Sequence, residues 1–334
     1  MSDTGWHHPD QPNDPSQQHQ PNMPPPPSWQ APQQPGVVPL RPLSLTEIID
    51  AAVKTMRSYP AVMLGVAAIV VTISTIISYP TQASITNTAN DLSPDATGEE
   101  VMDAIGPSLT GAGIAMVVGL VASAFLTGFL TTVVGKAVLG RPARFGEVWA
   151  EVKPQLGRLV GLALLPIIPM FGLALIVGLV AVVAAPLLLI VGPAAFVVAI
   201  WLYVLYFALA APALVLERCG VIESIKRSRA LVQKSWWRVF GILLLALILV
   251  TVIASIIQIP FGLAGGGASM FSGEPGEITF FGIVVGTIGA IIAGTITEPF
   301  RAAVTALIYT DQRMRREGLD IELARNAGTQ PPQQ

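Results

Sequence analysis

The chain has 334 residues, of which 52% are hydrophobic and only 12% charged, with a mean hydropathy of +0.62. Soluble domains carry about 25% charged residues, so this composition points to a membrane protein and overrides the roughly two soluble domains that length alone suggests. His7, His8 and His19 are the only histidines and Cys219 the only cysteine, which excludes an intrachain disulfide, a Cys/His metal site in the main body and histidine acid–base catalysis there.

Residues 1–40 hold 11 prolines, 7 glutamines and no Lys or Arg. Such a segment buries too little apolar surface to offset its ordering entropy and is expected to be disordered, with polyproline II character. It has neither the basic start nor the early apolar core of a secretory signal. It reads either as a docking arm anchored by Trp6 and Trp29 or as an unconstrained extension.

A helix crosses a bilayer with about 20 apolar residues. Spans are expected at about 61–79, 111–135, 160–183, 194–216, 239–259 and 279–300, followed by a C-terminal tail at 319–334. The third and fourth share one uncharged run, 159–216, with a turn expected near Pro186 and Gly192-Pro193. Pro166, Pro169 and Pro212 predict kinks, because proline removes a donor and crowds the preceding turn. Loop 80–110 has Asp91, Asp95, Glu99, Glu100 and Asp103 but no cation, and loop 260–278 is acidic as well. All 19 basic residues fall on the other side. The positive-inside rule then places both termini in the cytoplasm and the protein in the cell membrane as a multi-pass chain.

Three similar segments precede the odd-numbered spans: Leu45-Thr46-Glu47-Ile48-Ile49-Asp50, Phe145-Gly146-Glu147-Val148-Trp149 and Val221-Ile222-Glu223-Ser224-Ile225. The chain thus reads as three units of one interfacial helix and two spans, repeated in parallel about an axis normal to the membrane. In the first helix Leu45, Ile48, Ile49, Ala52, Val53, Met56 and Tyr59 share a face, with Ser44 and Glu47 as a capping box. In the third the apolar face is Val221, Ile222, Ile225, Val232, Trp236 and Val239. Lys226, Arg227, Lys234, Trp236, Trp237 and Arg238 are the candidate lipid-interface residues, since tryptophans and cations favour the headgroup boundary. Ordinary topological anchoring is the plainer reading.

Small residues recur every fourth position in span two, including Gly111 and Gly119, and in span six, including Gly282, Gly286 and Gly294. They let helices approach closely, within the bundle or between two copies. Glu298-Pro299-Phe300-Arg301 interrupts the last apolar stretch, and its two charges, three apart, can pair on one helical face. If the helix continues through Pro299, Glu298 lies in the membrane and is a candidate gating or coordinating residue. If 279–297 already spans, the pair closes the helix end at the interface. No P-loop, nucleophile elbow, zinc-protease motif or dinucleotide fingerprint is present. No catalytic residue, metal ligand or cofactor is therefore named, and nothing suits nucleic acid.

The segments Arg41 to Asp50, Ala211-Pro212-Ala213-Leu214-Val215-Leu216-Glu217 with Ser224 to Trp237, and Tyr309 to Asp320 resemble a group of actinobacterial integral membrane proteins that carry the membrane domain of glycerophosphoryl diester phosphodiesterase. Thr46 stands where that family's pattern has glycine. The resemblance covers about residues 41–325 and implies a membrane module without its enzyme, because the catalytic barrel of that family needs histidines and metal-binding carboxylates. The expected protein is an all-α, six-span, non-enzymatic accessory or scaffold for envelope or lipid-handling machinery. The alternative is a transporter or flippase of a lipid or small amphiphile. Its expected partners are membrane lipids, with a membrane or cytoplasmic protein and a second copy as further options.

Overall fold

In the first helix, α1 (Leu45–Ser58), the expected capping box forms: Ser44 Oγ accepts from the Glu47 N–H at 3.3 Å, and Glu47 Oε2 accepts from the Ser44 N–H at 2.7 Å. These bonds hold the Glu47 carboxyl below its ordinary range, with help from the nearby Arg41 guanidinium. The computed structural model describes residues 41–91, 98–183, 185–267 and 280–318. The Pro/Gln-rich segment, residues 92–97 and 268–279 and the tail 319–334 lie outside them, as do the side chains of 79–110; of the stretches expected as loops, 80–91, 98–110 and 260–267 are helical instead.

After α1 come α2 (Pro60–Asp91), α3 (Gly98–Val138), α4 (Phe145–Val152), α5 (Leu156–Leu164), α6 (Ile167–Val183), α7 (Leu188–Leu202), α8 (Ala210–Glu217), α9 (Val221–Val232), α10 (Trp236–Gly262) and α11 (Phe280–Glu317). Among the described residues there is no strand, and six segments are long and apolar enough to cross a membrane. Each of the short helices α1, α4 and α9 directly precedes such a segment or opens it.

Pro166 and Pro212 stand at breaks, whereas Pro169, also expected to kink its span, lies in the first turn of the continuous α6. Pro166 falls at the turn that separates α5 from α6. Pro212, in the first turn of α8, follows a widened turn at Tyr203–Phe207 in which the Ala208 N–H reaches back to the Tyr203 carbonyl at 3.1 Å. Between the third and fourth apolar segments the described turn is Ala185–Leu187. Gly192 and Pro193, expected in that turn, lie inside α7, so the fourth segment begins earlier than 194.

α11 is the central element. It packs along α10, α2, α3 and α1, and from Ala302 to Met314 nearly every residue is buried. At Gly289 an added Cβ would meet Gln258 Oε1 at 2.6 Å and Phe261 Cβ at 2.8 Å. At Gly294 it would meet Val71 at 2.7 Å. The short helix α4 is held on α3 by Phe125, Phe129, Phe145 and Trp149, with the Phe145 and Trp149 rings stacked 5° from parallel. By contrast, the α6–α7 hairpin packs mainly on itself and leaves Ile168, Phe171, Leu179, Leu189, Ile190 and Phe196 exposed.

Two amphipathic faces differ from their expected composition. In α1 the buried set is Ile48, Ala51, Ala52 and Thr55, while Leu45 is exposed. In α9 it is Ser224, Ser228, Leu231 and Val232, and Ile222 is exposed. Backbone chemistry explains the buried serine at 228. Ser228 Oγ accepts from the Leu209 N–H at 3.3 Å and donates to the Leu205 carbonyl at 3.5 Å. That hydroxyl is inserted between two main-chain groups that would otherwise bond each other in an unbroken helix.

Candidate functional site

The chemistry of the described residues gathers at one end of the bundle, where α3, α8, α9, α10 and α11 meet the segment before α1. Its centre is Asp311, fully buried on α11. Asp311 Oδ1 accepts from the Leu43 N–H at 2.8 Å, while Arg238 Nη2 from α10 reaches Oδ2 at 3.0 Å. Arg315, one turn along α11, donates through Nε to both carboxylate oxygens at 2.9 and 3.0 Å. Both arginines also donate to the Leu43 carbonyl, at 2.6 and 2.8 Å. One carboxylate and two guanidiniums thus hold the entry to α1 against α10 and α11, and both carboxylate oxygens have a charged donor.

A second cluster lies beside the first. Arg227 of α9 reaches Glu217 at 2.9 Å and forms a two-pronged pair with Glu317 at 2.6 and 2.7 Å. The Tyr309 hydroxyl donates to Glu217, and Arg313 pairs with Glu317 at 3.0 Å. Two carboxylates meet two guanidiniums here, so the cluster is close to neutral. Farther round, Lys136 of α3 holds Glu151 at 2.8 Å and Glu147 at 3.5 Å. Between these groups Arg218 ends α8 in the left-handed conformation, with φ of 53°, where glycine is usual.

A cleft of about 440 Å³ opens at the same end, lined by Lys234, Ser235, Gln312, Arg315 and Arg316. On another side an almost wholly apolar groove of about 360 Å³ runs between α1–α2 and α10, walled by Met56, Pro60, Leu64, Val250 and Ile253 and floored by Phe300. Arg57 is the one charged residue lining it.

The family model described as "Domain of unknown function (DUF7847)" matches residues 43–312, well over half of the chain. The chain belongs to this family. No curated protein and no solved structure matches it. The DUF7847 region opens at Leu43 and closes one residue past Asp311, so the two ends joined by the Asp311 clamp are also the ends of the family domain.

Within the DUF7847 domain, Glu298 and Arg301 pair at 2.6 Å on the half-exposed side of α11, which continues unbroken through Pro299. The two partners stand apart from the charged end. α10 and α11 run antiparallel, with Arg238 opposite Asp311 and Gln258–Phe261 opposite Gly289. The pair therefore sits opposite the middle of the apolar stretch of α10, about 15–20 Å along α11 from Asp311.

Of the candidate interface residues, Lys226, Lys234 and Trp237 point outward. Arg227 and Arg238 turn to carboxylates instead. Trp236 stacks on Phe240 with its ring nitrogen buried and unpartnered. Of the small-residue positions, Gly294 packs on Val71 and Gly282 against Gly265, whereas Gly119 meets nothing within 4 Å. Gly111 is half-buried on α3, and Gly286 lies half-buried on α11. Among the described residues no three His, Cys, Asp or Glu side chains stand together as metal ligands.

Asp311, Arg315, Glu217, Gln312, Ser235 and Ser228 were not singled out from the sequence. Asp311 and Arg315 carried a signal, an acid and a base four apart directly after an apolar run. Ser228 carried none, because its role exists only against a broken helix 20 residues earlier.

Proposed function

We propose that this protein is a non-enzymatic, six-span protein of the cytoplasmic membrane, both termini inside, that serves as an accessory or scaffold for envelope or lipid-handling machinery. The observation that supports it most is the charged end. Ion pairs lock α8, α9, α10 and α11 into one fixed surface and hydrogen bonds to Leu43 tie the start of α1 to it, while Lys226, Lys234 and Trp237 remain outward on it. A surface built this way recognises a partner without rearranging, and among the described residues no metal-ligand set accompanies it. The order α1, α4 and α9, each leading into spans, supports a three-unit parallel repeat. The resemblance to the membrane domain of glycerophosphoryl diester phosphodiesterase supports a module that works beside enzymes rather than as one. Native mass spectrometry of the gently extracted protein tests the reading. A stoichiometric protein partner is expected, and a chain that carries lipid alone overturns it.

One observation favours a second reading, transport of a lipid or amphiphile. Glu298 and Arg301 pair opposite the apolar middle of α10, a depth at which an ionisable pair is costly and usually functional. The apolar groove lined by Arg57 supplies room for an acyl chain on the same helix. Fluorescent phospholipid movement across reconstituted vesicles is the test. A rate above that of protein-free vesicles, cut tenfold or more by Glu298→Gln, is expected on this reading. Equal rates for the two proteins end it.

A further inference from the structure

We infer that the cleft between the α9–α10 turn and α11 is a binding site for a phosphate group, carried either by a lipid headgroup or by a free phosphate. The first support is an unbalanced charge. Lys234, Arg315 and Arg316 line the cleft and Arg238 stands behind it, yet the only carboxylate paired with any of the four among the described residues is Asp311. Lys234 and Arg316 make no ion pair there. Arg316 is held by neutral acceptors instead, the Ala230 carbonyl at 3.1 Å and Ser235 Oγ at 3.3 Å. Four cations facing one carboxylate in a recess repel one another unless an anion joins them.

The second support is a donor with nothing to bind. Gln312 is fully buried and lines the cleft. Ser235 Oγ donates to its Oε1 at 2.6 Å, which turns the amide nitrogen away, and that nitrogen has no partner. A buried amide N–H without an acceptor is costly, and an anion oxygen would supply the missing acceptor. Two more buried donors without partners, Trp236 Nε1 and Arg238 Nε, belong to the first turn of α10.

The third support is that turn itself. Ser235 is the N-cap of the 27-residue α10, yet its side chain makes no capping bond. The first N–H groups of the helix are thus left for an acceptor, with the positive end of the helix dipole behind them. Guanidiniums in a fork, an ammonium, an amide and a helix start form the donor set that a tetrahedral oxyanion uses. The volume of the cleft exceeds that of a lone ion and suits a headgroup. The exposed Trp237 beside it would sit at headgroup height if α10 crosses the bilayer. This site stands independently of the scaffold and transport readings.

The test uses the full chain in phosphatidylcholine nanodiscs, titrated calorimetrically with inorganic phosphate and separately with short-chain phosphatidic acid. Saturable binding of at least one is expected. It should weaken tenfold or more in Lys234→Gln and in Arg316→Gln and persist in Lys153→Gln, which removes an equal charge elsewhere. Lys234 is exposed, so its loss leaves the fold in place, and the thermal midpoint checks this. Binding of phosphatidic acid but not phosphate identifies a lipid source; equal binding of both identifies phosphate itself. Absence of binding by either probe, or a Lys234→Gln protein that binds as tightly as the parent, overturns the site.

Discussion

Leu43 and Asp311, 268 positions apart, are joined by a 2.8 Å hydrogen bond from the main-chain N–H of one to the carboxylate of the other. With Arg238 and Arg315 on the same carboxylate, this contact closes the two ends of the family domain upon each other. Breaking a buried pair leaves its partners uncompensated, at about 3–5 kcal/mol. Asp311→Ala is therefore expected to lower the thermal midpoint steeply. Asp311→Asn, which keeps an acceptor for the Leu43 N–H, should cost less, about 1–3 kcal/mol. Equal midpoints for the two variants would show that the charge, not the hydrogen bond, holds the clamp.

Ser228 bridges the Leu205 carbonyl and the Leu209 N–H. Removing its hydroxyl strands two buried main-chain groups, so Ser228→Ala should destabilise the protein by about 1–3 kcal/mol. Ser224, also buried on α9, bonds only the local Val221 carbonyl at 2.7 Å, and Ser224→Ala should cost much less. Thermal unfolding of both variants in the same detergent checks the difference.

Two glycines predict opposite outcomes. A methyl at Gly289 would collide with Gln258 and Phe261, whereas one at Gly119 meets nothing. Gly289→Ala should destabilise by about 1–3 kcal/mol through overpacking. Gly119→Ala should be neutral or stabilising by about 0.5–1 kcal/mol, since alanine is the better helix former. A fall in the molar mass of the particle on Gly119→Ala would instead reveal that this face joins two copies.

Cys219 sits half-buried, its thiol directed at the Ala213 carbonyl at 3.6 Å. Burial, and then the carboxylates of Glu217 and Glu223, push that thiol above its ordinary range. Because the thiolate is the reactive form, labelling by a maleimide near neutral pH should be slower than for a free cysteine. It should accelerate only as pH rises past that range. Labelling at the free-thiol rate at pH 7 contradicts this environment.

The long elements were legible because their cause is local. Uncharged runs such as 159–216 force helices, and Ser44 with Glu47 marks the first turn of α1 without any tertiary help. The capping box and the break at Pro166 followed for the same reason. The faces of α1 and α9 were less legible, because burial there depends on neighbours. Ser228 is inside because a helix broken near Pro212 needs its hydroxyl, and Ile222 is outside because a membrane domain gains little by hiding an isoleucine. The position of the Glu298–Arg301 pair also needed structure. Its relation to α10 follows from Gly289 against Gln258, a contact between segments that carry no shared sequence signal.

The Asp311 clamp has a consequence for how the molecule is made. Synthesis proceeds from the N-terminus, so Leu43 and α1 emerge long before their carboxylate and must wait for the whole of α11. Until then the start of α1 has the Arg238 guanidinium of α10 on its Leu43 carbonyl but no carboxylate on its Leu43 N–H, and that arginine has no acid to neutralise it. α11 is thus the helix that fixes the start of α1. A chain stopped before residue 311 would hold most of its apolar segments and still present an unfastened amino-terminal end to the quality-control proteases of the cell.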